Sequence, residues 1–375
     1  MRTIIIVSLL CLMSGLNAQK TTHPHLHDRV IHFPDVANYQ TVLCDFHQHT
    51  VFSDGSVWPD IRIQEAVRDS VDVVSMTEHI EYQPHGADIP HPDRNRSYEL
   101  ASQLARPYDL LVVNGAEITR SMPPGHNNAI FIEDANKLMI ADSIEVFREA
   151  NRQGAFVFWN HANWIAQRRD GIATMTPTHE YLVDEGLLHG IEVVNDLTYS
   201  EEALQIALDH NLTIMATSDI HGLIDWQYNV AEGGHRPVTL VFAEAKTEEA
   251  VKDALFARRT VAWYDNTLIG REEHLLPLLE ACIQVQAVAY LGPTSIAQVT
   301  LYNDSDAEFL LLNRSDYTFH ESADVVVLAP NTTTTINVKT QKLLGKFELR
   351  FQVLNAVTAP QEFPTVVIPV NTNNG

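Results

Sequence analysis

Basic residues are scarce in this 375-residue chain: 25 Lys and Arg stand against 48 Asp and Glu, a formal net charge of −23. That balance excludes a broad cationic surface of the kind that holds nucleic acid by its phosphates. Cysteine is almost absent, with three in all, one of them Cys11 inside an N-terminal apolar segment. The other two, Cys44 and Cys282, are too few for a disulfide scaffold or a thiolate zinc site. Cys44 falls in an apolar strand-like run and Cys282 at the edge of another, so two buried free thiols are expected rather than a bridge. Long apolar runs are missing beyond the N-terminus, so no segment is expected to cross a bilayer as a helix and no membrane partner is implied.

The N-terminal residues read as targeting and linker. Arg2, an apolar stretch over 3–13 and a run of mostly small residues ending at Ala18 form the pattern of a secretory signal peptide over 1–18. Export, to a periplasm or outside the cell, is therefore expected. Cys11 follows Leu10 rather than a small residue, which argues against a lipid anchor. Residues 19–39 are polar, include His23, His25 and His27, and are expected to form a mobile leader.

From 40 to 281, apolar strand-like runs alternate with amphipathic segments. The runs cover 41–46, 71–76, 110–113, 129–132, 155–159, 191–194, 212–216, 238–242 and 260–264. Pro59, Ser200 and Thr247 mark helix starts, and a last helix is expected over 270–281. This alternation predicts an α/β fold with a parallel sheet closed as a barrel. From 282 to 375 the pattern changes to short alternating strands separated by turn residues, which predicts an all-β immunoglobulin-like sandwich.

Five segments place metal-type ligands at the ends of apolar runs. They are Asp45-Phe46-His47-Gln48-His49 running on to Ser53-Asp54-Gly55, then Thr77-Glu78-His79, Glu117 with His126, Asn160-His161, and Ser218-Asp219-Ile220-His221. In a strand–helix barrel the functional face lies where strands end, so these groups should converge. His47 and His49 are two apart on extended chain and point the same way, which lets both grip one ion, and Asp219 with His221 repeats the spacing. Glu117 has two oxygens with which to bridge ions. A lone histidine at a strand end is usually a hydrogen-bonded structural residue; the metal reading rests on nine candidates in matching positions.

In their order and spacing these motifs resemble the polymerase and histidinol phosphatase (PHP) superfamily of metal-dependent phosphoesterases over about residues 40–265. The resemblance implies a distorted (β/α)7 barrel and two or three divalent ions, with Mn, Zn or Fe suited to the donor set. It implies one ion on His47, His49, Glu117 and Asp219, a second on Glu117, His126 and His161, and a third on Asp54, His79 and His221. The exported layout with a C-terminal β-domain is most similar to PHP-type phosphodiesterases, including those acting on organophosphate diesters. The expected activity is therefore hydrolysis of a small-molecule phosphate diester by a metal-bridged hydroxide.

Around this set, Asp54 is the candidate to assist the leaving oxygen, Arg120 could clamp a phosphate oxygen, and Glu192 could orient a ligand histidine. The loop 82–96, with His85, His91, Arg94 and Arg96, could wall the pocket. Trp159 is expected in the core. Two other enzymatic readings stay open: a phosphomonoesterase of the histidinol phosphatase type, and a non-phosphate metallohydrolase. The latter is weakened because no lysine lies near the candidate strand ends. A metal-sequestering binding module would need a closed site, whereas these motifs imply open positions. The oligomeric state and the task of the β-domain are not set by the sequence.

Overall fold

The computed structural model describes residues 30–372. The expected signal segment and His23, His25 and His27 of the leader lie outside the described residues.

Eleven strands build the first unit: β1 (Gln40–Asp45), β2 (Val73–Met76), β3 (Leu111–Thr119), β4 (His126–Ile130), β5 (Phe156–Trp159), β6 (Gly190–Asn195), β7 (Thr198–Tyr199), β8 (Thr213–Thr217), β9 (Val238–Ala243), β10 (Thr260–Tyr264) and β11 (Thr267–Gly270). Their order in the sheet is β11-β10-β9-β1-β2-β3-β4-β5-β6-β7, with β8 also on β6. The central strands are buried on both faces, as helix-covered strands must be. The main helices between them are α1 (Pro59–Arg68), α2 (Arg96–Ala105), α3 (Glu145–Arg152), α4 (Pro177–Asp184), α5 (Glu201–Asp209), α6 (Ile224–Gln227), α7 (Glu248–Phe256) and α8 (Glu272–Cys282). Ser200 and Thr247 cap α5 and α7 through their side chains, as read from the sequence.

The sheet is curled but not uniformly parallel. β1, β2 and β3 are parallel, as are β5, β6 and β8, while β4, β9 and β10 run antiparallel to neighbours. The link 120–125 between β3 and β4 is too short for a helical crossover, so that pair can only be a hairpin. Where β8 meets β9 and β10, buried threonines replace a backbone ladder. The Thr239 hydroxyl donates to Ala216 O at 2.8 Å and accepts from Ala216 N–H at 2.9 Å, and Thr260 donates to Ile214 O at 2.8 Å.

The C-terminal unit has strands β12 (Ile283–Tyr290), β13 (Ile296–Asn303), β14 (Phe309–Asn313), β15 (Thr318–Phe319), β16 (Val325–Leu328), β17 (Thr333–Lys339), β18 (Lys346–Val353), β19 (Ala356–Val357) and β20 (Thr365–Asn371). Two four-stranded sheets, β12-β13-β17-β15 and β16-β14-β18-β20, face each other as the expected sandwich. β19 leaves it to pair in parallel with β11 of the curled sheet. Beside that seam Asn355 donates to Asn266 O at 2.7 Å and Glu308 O at 2.6 Å, and accepts from Leu310 N–H at 3.0 Å. One apolar cluster runs through the junction, from Ile63, Val74 and Trp263 to Leu301, Phe309 and Phe351.

The mobile-leader expectation does not hold from residue 30 onward. Ile31, Phe33 and Val36 are buried in that same cluster, and Phe33 meets Trp263 edge-on at 5.0 Å. His32 O accepts from Asp306 N–H at 3.0 Å, and His32 N–H donates to the Asp306 carboxylate at 2.8 Å. The polar residues around these apolar positions hid a segment that packs through alternate side chains. Cys44 and Cys282 are buried free thiols.

Because the two units share a core and a sheet, a single unfolding transition is expected in urea followed by tryptophan fluorescence. Asn355→Ala should lower the stability by about 2 kcal/mol, since it strands partners at the seam. Two resolved transitions in the unaltered protein would show that the seam does not couple the units.

Candidate metal centre

The rim of the curled sheet collects ligand-type groups from six of its strands. His47 and His49 follow β1, His79 follows β2, Glu117 lies on β3, His161 follows β5, and Asp219 and His221 follow β8. His126 opens β4, and because β4 is antiparallel its first residue lies at the rim where its neighbours end. The β3–β4 register sets Thr119 against His126 and Glu117 against Asn128. Asp54 arrives on a turn that needs Gly55: a Cβ there would lie 2.6 Å from the carbonyl carbon of His49.

Nine of these side chains converge. His47 Nε2 and His49 Nε2 lie 3.0 Å apart, and Asp219 Oδ1 is 3.1 and 3.0 Å from them. Glu117 Oε2 is 3.3 Å from both nitrogens. The ligand atoms of His47, His49 and Asp219, about 3.0–3.1 Å from one another, match one face of a tetrahedron around an ion with bonds of about 2 Å, and Glu117 adjoins the two imidazoles. His47 Nδ1 faces Glu192 Oε1 at 2.7 Å. A carboxylate only accepts, so Nδ1 carries the proton and Nε2 presents its lone pair to the cage.

The second and third groups adjoin the first. His126 Nδ1 is 2.6 Å and His161 Nε2 3.9 Å from Glu117 Oε1. Neither Glu117 Oε1 nor His126 Nδ1 has a hydrogen-bond partner, although both are buried. Buried acceptor atoms left this way are costly unless a cation sits between them. Asp54 lies 3.1 Å from His221 Nε2 and 3.3 Å from His79 Nε2, with His49 at 3.7 Å. The groupings able to hold an ion are thus His47, His49 and Asp219; His79, Glu117 and His126; and His49, Asp54, His79 and His221. The structure adds His79 beside Glu117 at 3.0 Å, and His49 beside Asp54, to the sets expected from the resemblance. The donor set of imidazole and carboxylate fits a divalent ion.

The electrostatics carry the same message. Burial would raise Glu117, but His79 first, then His126, His161 and His47, outweigh it and hold the carboxyl well below its usual range. Asp219 is likewise held low, by His47 and His49 against the effect of burial, and Asp54 by His221 and His79. Burial would lower His79, but Glu117 and Asp54 lift it to about 11. Burial pushes His49 down to about 3, helped by His79 and His221. Without a metal, protons have to hold these carboxylates together.

Supporting groups lock the ligands from behind. Glu192 accepts from His47, from Thr217 Oγ1 at 2.6 Å, from His161 N–H at 2.7 Å and from Asn195 at 2.8 Å. Glu78 accepts from the hydroxyls of Thr50 and Ser53, both at 2.5 Å, and fixes the loop after His49. Arg62, fully buried, donates to the carbonyls of His49 at 3.0 Å and Gly222 at 2.7 Å, joining the two ligand loops. Beneath them Arg236 pairs with Asp69 at 2.8 Å and Asp45 at 3.3 Å, and Asp45 holds Ser218. The sequence reading named Glu192 but missed Arg62, Arg236, Asp45 and Glu78. Arg62 did leave a signal: it stands on the buried stripe of α1.

Two expectations are corrected. Arg120 does not clamp anything in the site: its guanidinium pairs with Glu81 at 2.9 Å and donates to Ile140 O. It stands three residues beyond Glu117, and an odd offset on extended chain points to the opposite face. The loop 82–96 does not wall the pocket. His91 docks on Phe52 O at 2.7 Å, Arg94 donates to His91 O, and Arg96 pairs with Glu99, while His85 is absent from the cavity lining. The cavity, about 610 Å³, is walled instead by 163–171, 195–198 and 222–227. Asp54 does line it, with its carboxylate against His221 and His79. Trp159 is in the core, stacked on His179 at 3.8 Å.

Residues 283–369 match an Ig-like domain family. The whole chain resembles the crystal structure of a two-domain protein from Bacteroides vulgatus containing a predicted PHP-like metal-dependent phosphoesterase. The TM-score is 0.85 at 39% identity, over 91% of this chain and 98% of that one. Weaker likenesses are to an amidohydrolase from Chromobacterium violaceum with bound sulfate (TM-score 0.34, 16% identity, 48% of this chain and 87% of that one) and to a lesion-specific endonuclease from Pyrococcus furiosus (TM-score 0.38, 13% identity, 66% and 62%). At that level they carry no inference about chemistry. No curated protein matches the chain.

Metal binding should release protons, because an ion must displace the one on His79. The ordinary pKa of histidine is about 6.5. With His79 raised above it, the stabilisation His79 contributes to the metal-free protein is full below that pH and is lost as pH climbs toward 11. The rise in Tm on adding Mn²⁺ should therefore grow from pH 6.5 to 9 in differential scanning fluorimetry; a constant rise would remove His79 as a proton-bearing ligand. Glu192→Gln should weaken metal affinity about 10- to 100-fold with the fold retained, read by titration against a chelator. Arg120→Ala should leave metal content unchanged and cost about 1 kcal/mol or less of stability.

Proposed function

The chain belongs to the family of PHP-like metal-dependent phosphoesterases, and from that premise we propose that it hydrolyses small phosphate diesters at this rim. The observation that carries the diester reading is the make-up of the cavity wall. Asp54, Glu117, Asp196 and Asp219 line it, and among the described residues no Lys or Arg does. The second negative charge of a phosphomonoester would find no guanidinium or ammonium to pair with. A diester carries one charge and a second organic arm, and the same wall offers apolar surface at Trp164 and Ile165.

Two or three divalent ions, with Mn, Zn or Fe suited to the donors, would be held by His47, His49, Asp219 and Glu117, by Glu117, His126 and His161, and by Asp54, His79 and His221. When bound they supply positive charge for the phosphoryl oxygens and make water acidic enough to act as a nucleophile near neutral pH. Glu117 spans two groups and holds their spacing. Glu192 keeps His47 in the tautomer whose Nε2 faces inward. Arg62 sets the distance between the loop of His49 and that of His221. Asp54, His79 and His221 form the edge nearest solvent, where the departing oxygen can be met. The proposal includes export to a periplasm or beyond, supported by the pattern of residues 1–18.

The test is to load the purified protein with Mn²⁺, Zn²⁺ or Fe²⁺ and compare bis(4-nitrophenyl) phosphate with 4-nitrophenyl phosphate. The diester should have the higher kcat/KM, and Glu117→Ala should lose both metal and turnover. A preference for the monoester would overturn the diester reading.

A further inference from the structure

We infer that the segment after His161 is a specificity wall that selects diesters with an apolar arm, alkyl or aryl, on the phosphorus. The inference rests on the diesterase reading above and adds the class of ester.

Trp164 and Ile165 line the cavity that contains the ligand groups. Trp164 is held against them: its N–H donates to His161 O at 2.8 Å, and its ring centroid lies 5.1 Å from that of His161 and 5.6 Å from that of His126. The turn is closed by Gln167 and Arg168, whose N–H groups donate to Trp164 O, and Gln167 Nε2 donates to Arg120 O at 2.9 Å. The indole thus has a fixed position beside the second ligand group, while 44% of the residue faces solvent. Ile165 beside it is 71% exposed.

Single exposed apolar residues need no explanation. Here two of them line one cavity, and three more stand next to lining residues in the chain. Leu197 stands between the lining residues Asp196 and Thr198, Trp226 precedes the lining residue Gln227, and Ile172 follows the lining residue Gly171; all three are exposed. Trp164 and Ile165 thus give the cavity an apolar side next to the ligand groups, and the segments bordering it carry three further exposed apolar residues. The occupant must reach phosphorus among the ligand groups and also rest on indole and isoleucine. The second organic arm of a phosphate diester meets both conditions. Inorganic phosphate has no organic part to touch the wall, and a phosphomonoester has only its leaving group, whereas a diester can place one arm on the wall while the other departs.

The test uses 4-nitrophenyl alkyl phosphates with methyl, butyl and hexyl arms, so that the leaving group is constant. A half-buried methylene contributes about a two-fold gain, so kcat/KM should rise about 30-fold from methyl to hexyl. Trp164→Ala combined with Ile165→Ser should flatten the series to within about three-fold. Ile165→Ser alone, at an exposed position, should lower the slope and keeps the test available if the double variant does not fold. A flat series in the unaltered protein would overturn the inference. So would a uniform loss in the variants with the slope kept, accompanied by reduced metal content, because Trp164 would then act by holding His126 and His161. Turnover of the methyl ester but no gain with arm length would refute the wall and leave the diesterase reading standing. Hydrolysis of 4-nitrophenyl phosphate with no diester turned over would remove both.

Discussion

Glu117 is a buried carboxylate at the bottom of the cavity, and among the described residues no Lys or Arg pairs with it. Its oxygens face the imidazoles of His47, His49, His79 and His126, with His161 farther off. A buried anion of that kind is tolerated only when cations meet it at close range. The fold supplies these imidazoles from four different strands, β1, β2, β4 and β5, and it can do so only because the curled sheet brings those ends to one rim. The spacing of about 3 Å among lone-pair atoms is a repulsive arrangement that protons or metal ions must satisfy. The site is therefore a demand for positive charge built into the centre of an otherwise acidic protein.

That demand explains the amount of buried polar structure behind the ligands. Arg62 and Arg236 are both fully buried, an expensive placement for a guanidinium. Each returns the cost by fixing backbone: Arg62 ties the loops of His49 and Gly222, and Arg236 holds the Asp45–Ser218 pair beneath Asp219. Glu192 uses both oxygens on four donors around His47 and His161. Ligands held this way present their lone pairs before any ion arrives, so little ordering is left for binding to pay. The C-terminal sandwich extends the same rigidity by another route, since β19 adds a strand to the curled sheet beside β11.

The wall of the cavity follows different chemistry from its floor. The floor is imidazole and carboxylate; the near wall is Trp164 and Ile165; the far wall is Asn195, Thr198 and Gln227. On the function proposed above, a phosphoryl group would sit at the floor and organic groups on the walls.

Much of this was legible in the sequence, and for a definite reason. A metal ligand at a strand end leaves a local mark, an apolar run stopping at His, Asp or Glu, and the period of two in extended chain puts His47 and His49 on one side without any tertiary knowledge. The strands of the sandwich announced themselves by the same period. What the sequence could not carry was anything decided between distant segments. Arg120 looked like a phosphate clamp because it follows Glu117, but Glu81 and the Ile140 carbonyl claim it. His91 and Arg94 looked like pocket residues because they follow His79, but their loop docks on Phe52. The walls at 163–171 and 195–198 bear no motif, and Ile31 to Val36 were hidden among polar neighbours. The chain by itself determined which donor atoms exist and roughly which strand end carries each, because that is local geometry. Tertiary structure alone decided which of them share an ion, which charges lie behind them and what surface faces the substrate, because those depend on how the sheet curls and on which loop fills the space beside it.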